Sequence, residues 1–100
     1  MRERIHDWSG DEHVVELLTT ELATNAIVHA LSGFSVTVHV TSGAVRVEVD
    51  DTSPVIPVPI VAPPPDALNG RGLFLVASLS NRWGAEVVPG GKRVWFEVDA

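Results

Sequence analysis

The chain has no cysteine, few cations and no long uninterrupted apolar run. Without cysteine there can be no disulfide, thiolate metal site or cysteine nucleophile, which suits a reducing compartment. Seven Lys and Arg residues stand against thirteen Asp and Glu, a formal charge of -6. The basic residues are scattered, with Arg2 and Arg4 at one end and Lys92 and Arg93 near the other. The clustered cationic footprint that binds phosphodiester backbones is missing, so no nucleic-acid partner is expected. The longest apolar stretch, 55–65, is interrupted by proline and too short to cross a bilayer. Residues 1–10 are polar and charged, unlike a secretory leader. The expectation is a cytoplasmic protein with no membrane association. What is present is 45% hydrophobic and 20% charged residues in 100 positions, the balance of one small packed domain.

Helical periodicity dominates 11–31. Neither proline nor glycine interrupts it, and Val14, Leu17, Leu18, Leu22, Ala26 and Val28 recur at three- and four-residue steps. Ser9 or Asp11 can cap its start, and Ser32-Gly33 ends it. Residues 1–8 read as the tail of an earlier helix. Period two comes next: Phe34, Val36, Val38 and Val40, then a Ser42-Gly43 turn, then Val45, Val47 and Val49. This predicts a hairpin with one buried face. A short helix over 72–79 and a second hairpin, 85–88 with 94–98 around Pro89-Gly90-Gly91, complete the order. Segment 53–69 holds six of the seven prolines, which excludes a helix or central strand there. A connection of that length in a compact domain is a lid or a disordered loop. The expected fold is a two-layer α/β sandwich, its mostly antiparallel sheet covered on one face by helices.

Three places carry polar residues suited to chemistry. Glu21, Asn25 and His29 are four apart and share one face of the first helix. Carboxylate and carboxamide oxygens suit a hard cation such as Mg²⁺. The same row equally suits a solvated face with i,i+4 hydrogen bonds, and His29 reads as a packing or capping residue. At 50–54, Asp50-Asp51-Thr52-Ser53-Pro54, a strand ends in carboxylates and turns. Such a corner either caps its own backbone or offers an acceptor to an exocyclic amine. Asn69-Gly70-Arg71-Gly72-Leu73 stands directly before the short helix, where glycines allow close approach and N–H groups can hold phosphate. It could also be a plain loop-to-helix turn. Neither a P-loop nor a dinucleotide fingerprint has this spacing.

In order and type, these blocks resemble the nucleotide-binding boxes of the GHKL, or Bergerat-fold, ATPases. The likeness is to the anti-sigma-factor serine/threonine kinases and related ATP-binding proteins of actinobacteria. Residues 21–30 resemble the N box, 47–54 the adenine box, 70–73 through 82–84 the phosphate box and the segment after it, and 90–97 the closing strand. The resemblance implies that Asn25 holds Mg²⁺, that Glu21 is the general base, and that Asp51 accepts from the adenine amine. It also implies that Gly70 and Gly72 place backbone N–H groups near the phosphates, that Ala26, Ser53, Arg71 and Leu73 line the ATP site, and that 53–69 is the ATP lid. Four departures stand beside it. Ser53 and Val55 replace the glycines of the wider superfamily, and Lys92 and Arg93 stand where threonines are frequent. No histidine lies in a dimerisation helix, and the chain begins inside the first helix, without the usual first strand.

Two functions are implied by this resemblance. One is an ATP- and Mg²⁺-dependent protein serine/threonine kinase that engages a sigma factor and phosphorylates a STAS-type anti-anti-sigma partner. The other is a non-catalytic nucleotide-binding module that regulates a partner through its lid. A domain that has lost nucleotide binding is a third reading. A homodimer is also expected as possible, since a missing first strand would leave a sheet edge open.

Overall fold

The computed structural model describes residues 10–29, 33–53 and 71–100; the side chains of Val28, His29, Arg71 and Gly72 are not described. Six elements occur in order: α1 (Glu12–His29), β1 (Phe34–Val40), β2 (Ala44–Asp51), α2 (Arg71–Leu79), β3 (Arg82–Val88) and β4 (Gly91–Asp99). The strands form one sheet of order β1-β2-β4-β3, every pairing antiparallel. Both helices pack against it, giving the expected two-layer α/β sandwich.

Of the two candidate caps for α1, Asp11 takes the role. Its Oδ1 accepts from the backbone N–H groups of His13 at 2.9 Å and Val14 at 3.2 Å, satisfying donors left open in the first turn. The buried stripe of α1 is Val15, Leu18, Leu22 and Ala26. Leu17, expected within it, is 40% exposed, because the 3-4-4 spacing of that stripe turns position 17 off the sheet-facing side. The turn between β1 and β2 is tied by Thr41, whose N–H donates to the Ala44 carbonyl at 2.9 Å and whose Oγ1 accepts from the Ala44 N–H at 3.0 Å. Between β3 and β4, Pro89 precedes Gly90, whose φ of +86° suits a residue without Cβ. Gly33 likewise has φ +114° just before β1.

Strand alternation sorts the sheet into two faces. Val45, Val47 and Val49 of β2 and Val94, Phe96 and Val98 of β4 are buried beneath the helices, with Leu73 and Val76 of α2 packed onto them. Paired register places Phe34, Val36, Val38 and Val40 of β1 opposite Asp51, Val49, Val47 and Val45. They share that face yet remain 39% to 50% exposed, correcting the expectation of a fully buried hairpin face. The reason is position: β1 is an edge strand, and the core gathers over β2 and β4. Strand β3 begins at Arg82, three residues before the expected 85, because the pairing with β4 runs from Arg82↔Glu97 to Val88↔Gly91.

The opposite face carries Arg46, Glu48 and Asp50 of β2, Arg93, Trp95 and Glu97 of β4, and Arg82 of β3. Arg46 donates to Glu48 at 2.9 Å and to Glu97 at 3.0 Å, and its guanidinium lies 4.0 Å from the centre of the Trp95 ring. Arg82 donates to Glu97 at 2.5 Å and also to Asp99. Hydrogen bonding from Arg82 is the first cause holding the Glu97 carboxyl below the ordinary value, and from Arg46 the first cause for Glu48. Among the described residues no helix is long and apolar enough to cross a membrane.

Candidate functional site

Two consecutive aspartates end β2, and strand alternation sends them to opposite faces. Asp50 is on the open face, where Arg93 grips it in a fork: Nε to Oδ1 at 2.8 Å and Nη2 to Oδ2 at 3.0 Å. Asp51 continues the inward row of Val45, Val47 and Val49, and its side chain is only 5% exposed. Of the pair, Asp51 is thus the carboxylate presented to the helix-covered side.

Its surroundings come from β4 and from the start of the proline-rich segment. The Ser53 N–H donates to Asp51 Oδ1 at 2.8 Å, an Asx-type turn that reverses the chain as β2 ends. Across the sheet, register pairs Asp51 with Lys92. The Lys92 ammonium lies 2.8 Å from Asp51 Oδ2 and 3.0 Å from Oδ1, and 3.5 Å from the Ser53 carbonyl. Among the described residues, Lys92 is the polar or charged one buried as a whole residue, backbone included, at 6% exposure. A Cβ on Gly91 would stand 1.8 Å from the Asp51 carbonyl oxygen, so this crossing of β2 and β4 is built on a residue without a side chain. A cleft of about 340 Å³ opens beside it, lined by Gly33, Phe34, Asp51, Thr52 and Gly90 among others.

On α1, Glu21 and Asn25 are both half-buried, one turn apart, beside the buried Leu22 and Ala26. Neither side chain hydrogen-bonds to another residue among those described. Ala26 and Leu73, expected to line the site, belong to the core at 2% exposure each. Arg71 and Gly72 open α2, so the N–H groups of its first turn, which have no partner within the helix, begin where the resemblance puts a phosphate site. Gly70 and all of the expected lid except Ser53 lie outside the described residues. Among the described residues no three His, Asp or Glu side chains gather into a metal-binding cluster.

By sequence alone Lys92 stands out only as a departure from the family pattern, and Gly91 only as part of a turn. A signal for Lys92 is nevertheless present: it stands at the inward position of the alternation that continues through Val94, Phe96 and Val98. A charge on the core side of a central strand needs a partner.

The chemistry of the donors fits a purine nucleotide. An ionised carboxylate offers about four lone-pair positions. Ser53 and Lys92 address Asp51 through Oδ1 twice and Oδ2 once, leaving an acceptor position on Oδ2 for an exocyclic amine. Asn25 offers a carboxamide oxygen to a hard cation, and Mg²⁺ commonly takes one or two protein ligands together with phosphates and water.

No curated protein matches the sequence. The family model for the histidine kinase-like ATPase domain, in contrast, matches residues 5–98. That span takes in α1 to β3 whole and β4 up to Val98, as well as Glu21, Asn25 and Asp51. An antiparallel sheet with helices on one face agrees with it, and the chain belongs to the histidine kinase-like ATPase domain family, a family of ATP-binding domains.

Proposed function

We propose that this ATP-binding domain is an anti-sigma-factor-type protein serine/threonine kinase that phosphorylates a STAS-type anti-anti-sigma partner. The observation that carries this reading is the pairing of Glu21 and Asn25 one turn apart on α1, half-buried and engaged by no other described residue. Phosphoryl transfer asks a protein for positioning and charge stabilisation more than for covalent chemistry. Glu21 takes the proton of the acceptor serine hydroxyl. Asn25 holds the metal through its amide oxygen. Asp51 accepts from the exocyclic amine of the base, and the backbone N–H groups of 70–73 hold the phosphates. When bound, Mg²⁺–ATP supplies the transferable phosphoryl group and a cation that offsets its charge. The proline-rich 53–69 segment covers the nucleotide, and sigma factor and partner engage the same protein in the cytoplasm. Among the described strands β1 lies at a sheet edge, and that edge is where a second copy would pair.

The test is incubation with ATP, Mg²⁺ and the cognate STAS protein, reading serine phosphate. Wild type is expected to transfer phosphate. Glu21→Ala should reduce transfer by about 10² or more while binding ATP as wild type does, the usual scale for losing a general base. Asn25→Ala should lose nucleotide binding itself. Serine phosphate absent from wild type, or equal in wild type and Glu21→Ala, overturns the kinase reading. ATP binding by a protein without transfer leaves the alternative function, a non-catalytic module that regulates its partner through the lid.

A further inference from the structure

We propose that Lys92 is a second base-reading residue, and that with Asp51 it lets the site accept 6-oxopurine nucleotides, the inosine and guanosine triphosphates, as well as adenine nucleotides. The inference rests on the reading of Asp51 as the group that meets the base.

Three observations support it. Lys92 and Asp51 are both more than nine-tenths buried, with side-chain exposures of 7% and 5%. They sit at the end of an inward row whose other members on the two strands are Val45, Val47, Val49, Val94, Phe96 and Val98. For stability alone, an apolar pair there would serve as well, since a buried ion pair seldom outperforms well-packed hydrocarbon. The hydrogen-bonding capacity of the ammonium is also incompletely used. Two of its three N–H groups are met by the Asp51 oxygens, at 2.8 and 3.0 Å, while the third has only the Ser53 carbonyl, a long 3.5 Å away. Asp51, the carboxylate of the pair, also lines the cleft between the end of β2 and the β3–β4 turn, whereas Lys92 does not line it.

The consequence is chemical. A lone carboxylate can only accept. It matches the amino group at position 6 of adenine and repels the carbonyl oxygen that hypoxanthine and guanine carry there. Discrimination of that kind, built on a buried group left unpaired, reaches about 10⁴-fold. A carboxylate and an ammonium side by side present an acceptor and a donor together. The adenine edge offers an N–H donor at position 6 and an acceptor at N1; the 6-oxo edge offers the reverse. Either edge satisfies the pair, with Asp51 taking the N–H and Lys92 donating to the neighbouring nitrogen or oxygen.

The experiment is calorimetric titration of the full chain with Mg²⁺–ATP and Mg²⁺–ITP, for wild type, Lys92→Met and Lys92→Arg. ITP differs from ATP only at the edge in question. Wild type should bind ITP within about tenfold of ATP. In Lys92→Met the preference for ATP should widen by about tenfold or more, the loss of a charged hydrogen bond. Lys92→Arg keeps a donor and should stay near wild type. Each ratio is measured within one protein, so a general loss of stability cancels. If Lys92→Met does not fold, ¹⁵N-lysine labelling of wild type decides, because Lys92 is the sole lysine in the sequence and gives a single Nζ signal. Both nucleotides should shift that signal at saturation. A wild type that binds ATP but rejects ITP by about 10³-fold, an unchanged ratio in Lys92→Met, or an Nζ signal unmoved by nucleotide overturns the role of Lys92 alone. Failure to bind either nucleotide overturns the underlying site as well.

Discussion

The two faces of the sheet handle charge in opposite ways. On the open face, charges come as a lattice: Arg46 between Glu48 and Glu97, Arg82 on Glu97 and Asp99, and Arg93 on Asp50. Every member keeps contact with water, and several have more than one partner, so no single loss strands a charge. On the helix-covered face of the sheet, among the described strand residues, the ion pair is Lys92 with Asp51, at the end of an inward row of Val45, Val47, Val49, Val94, Phe96 and Val98. Each of those two charges depends on the other for most of its compensation. The lattice bridges β2, β4 and β3. The isolated pair concentrates polarity at the place where a ligand can use it.

The most forceful way to break this contrast is to remove one partner of the isolated pair. Lys92→Met should destabilise the domain by about 3–5 kcal/mol, because the Asp51 carboxylate is left buried without its cation. Adding Asp51→Asn should recover most of that loss, since the second change removes the stranded charge. Urea denaturation of the single and double variants measures both. A single variant as stable as wild type would show that water reaches this end of the sheet freely, and the contrast between the faces would fail.

Glycine provides a second comparison, again one residue for each setting. A Cβ at Gly91 meets Asp51 backbone, at 1.8 Å from its carbonyl oxygen, whereas a Cβ at Gly84 meets the Trp95 indole at 2.8 Å. Backbone in a central pairing cannot yield without shifting β2 against β4. An indole on the open face can rotate. Gly91→Ala is therefore expected to cost about 3 kcal/mol or more, and Gly84→Ala about 1–2 kcal/mol, in the range of overpacking. Thermal unfolding of the two variants should rank them in that order; the reverse rank would place the rigid contact on the wrong side of the sheet.

How much of this could be read from residues alone depended on how local each cause was. The Asp11 cap, the Ser42-Gly43 turn and the alternation of Val45, Val47 and Val49 are set within a few residues and stand as expected, whereas the expected Pro89-Gly90-Gly91 turn keeps Pro89 and Gly90 and gives Gly91 to β4. The exposure of Phe34, Val36, Val38 and Val40 was not legible, because alternation assigns a side chain to a face but not a strand to an edge. Asp51 was legible over Asp50 only through the family resemblance, whereas the physical difference between them lies in the register that puts Arg93 against Asp50 and Lys92 against Asp51. Lys92 is forty-one positions away from Asp51, and no local pattern joins them.

The smallest effect belongs to the open face, and its sign is the informative part. Glu97 has its carboxyl held below the ordinary 4.5, first by the hydrogen bond from Arg82 and then by that from Arg46. A carboxyl whose folded pKa is lowered binds fewer protons in the native state than in the unfolded one. Its contribution is therefore complete above about pH 4.5, the unfolded value, and is lost as pH falls through the folded value. Arg82→Gln removes the first of those causes. The variant should be slightly less stable than wild type at pH 7, and the gap between their urea midpoints should close as pH falls through that range, where wild type loses what the variant never had. Added salt at pH 7 should narrow the same gap, since both partners reach solvent. The Lys92→Met gap, measured beside it, should resist salt, because its charges are shielded by the core rather than by ions. If both gaps respond alike, the two faces do not differ in their access to water, and the polarity at Asp51 is no more enclosed than that of the open lattice.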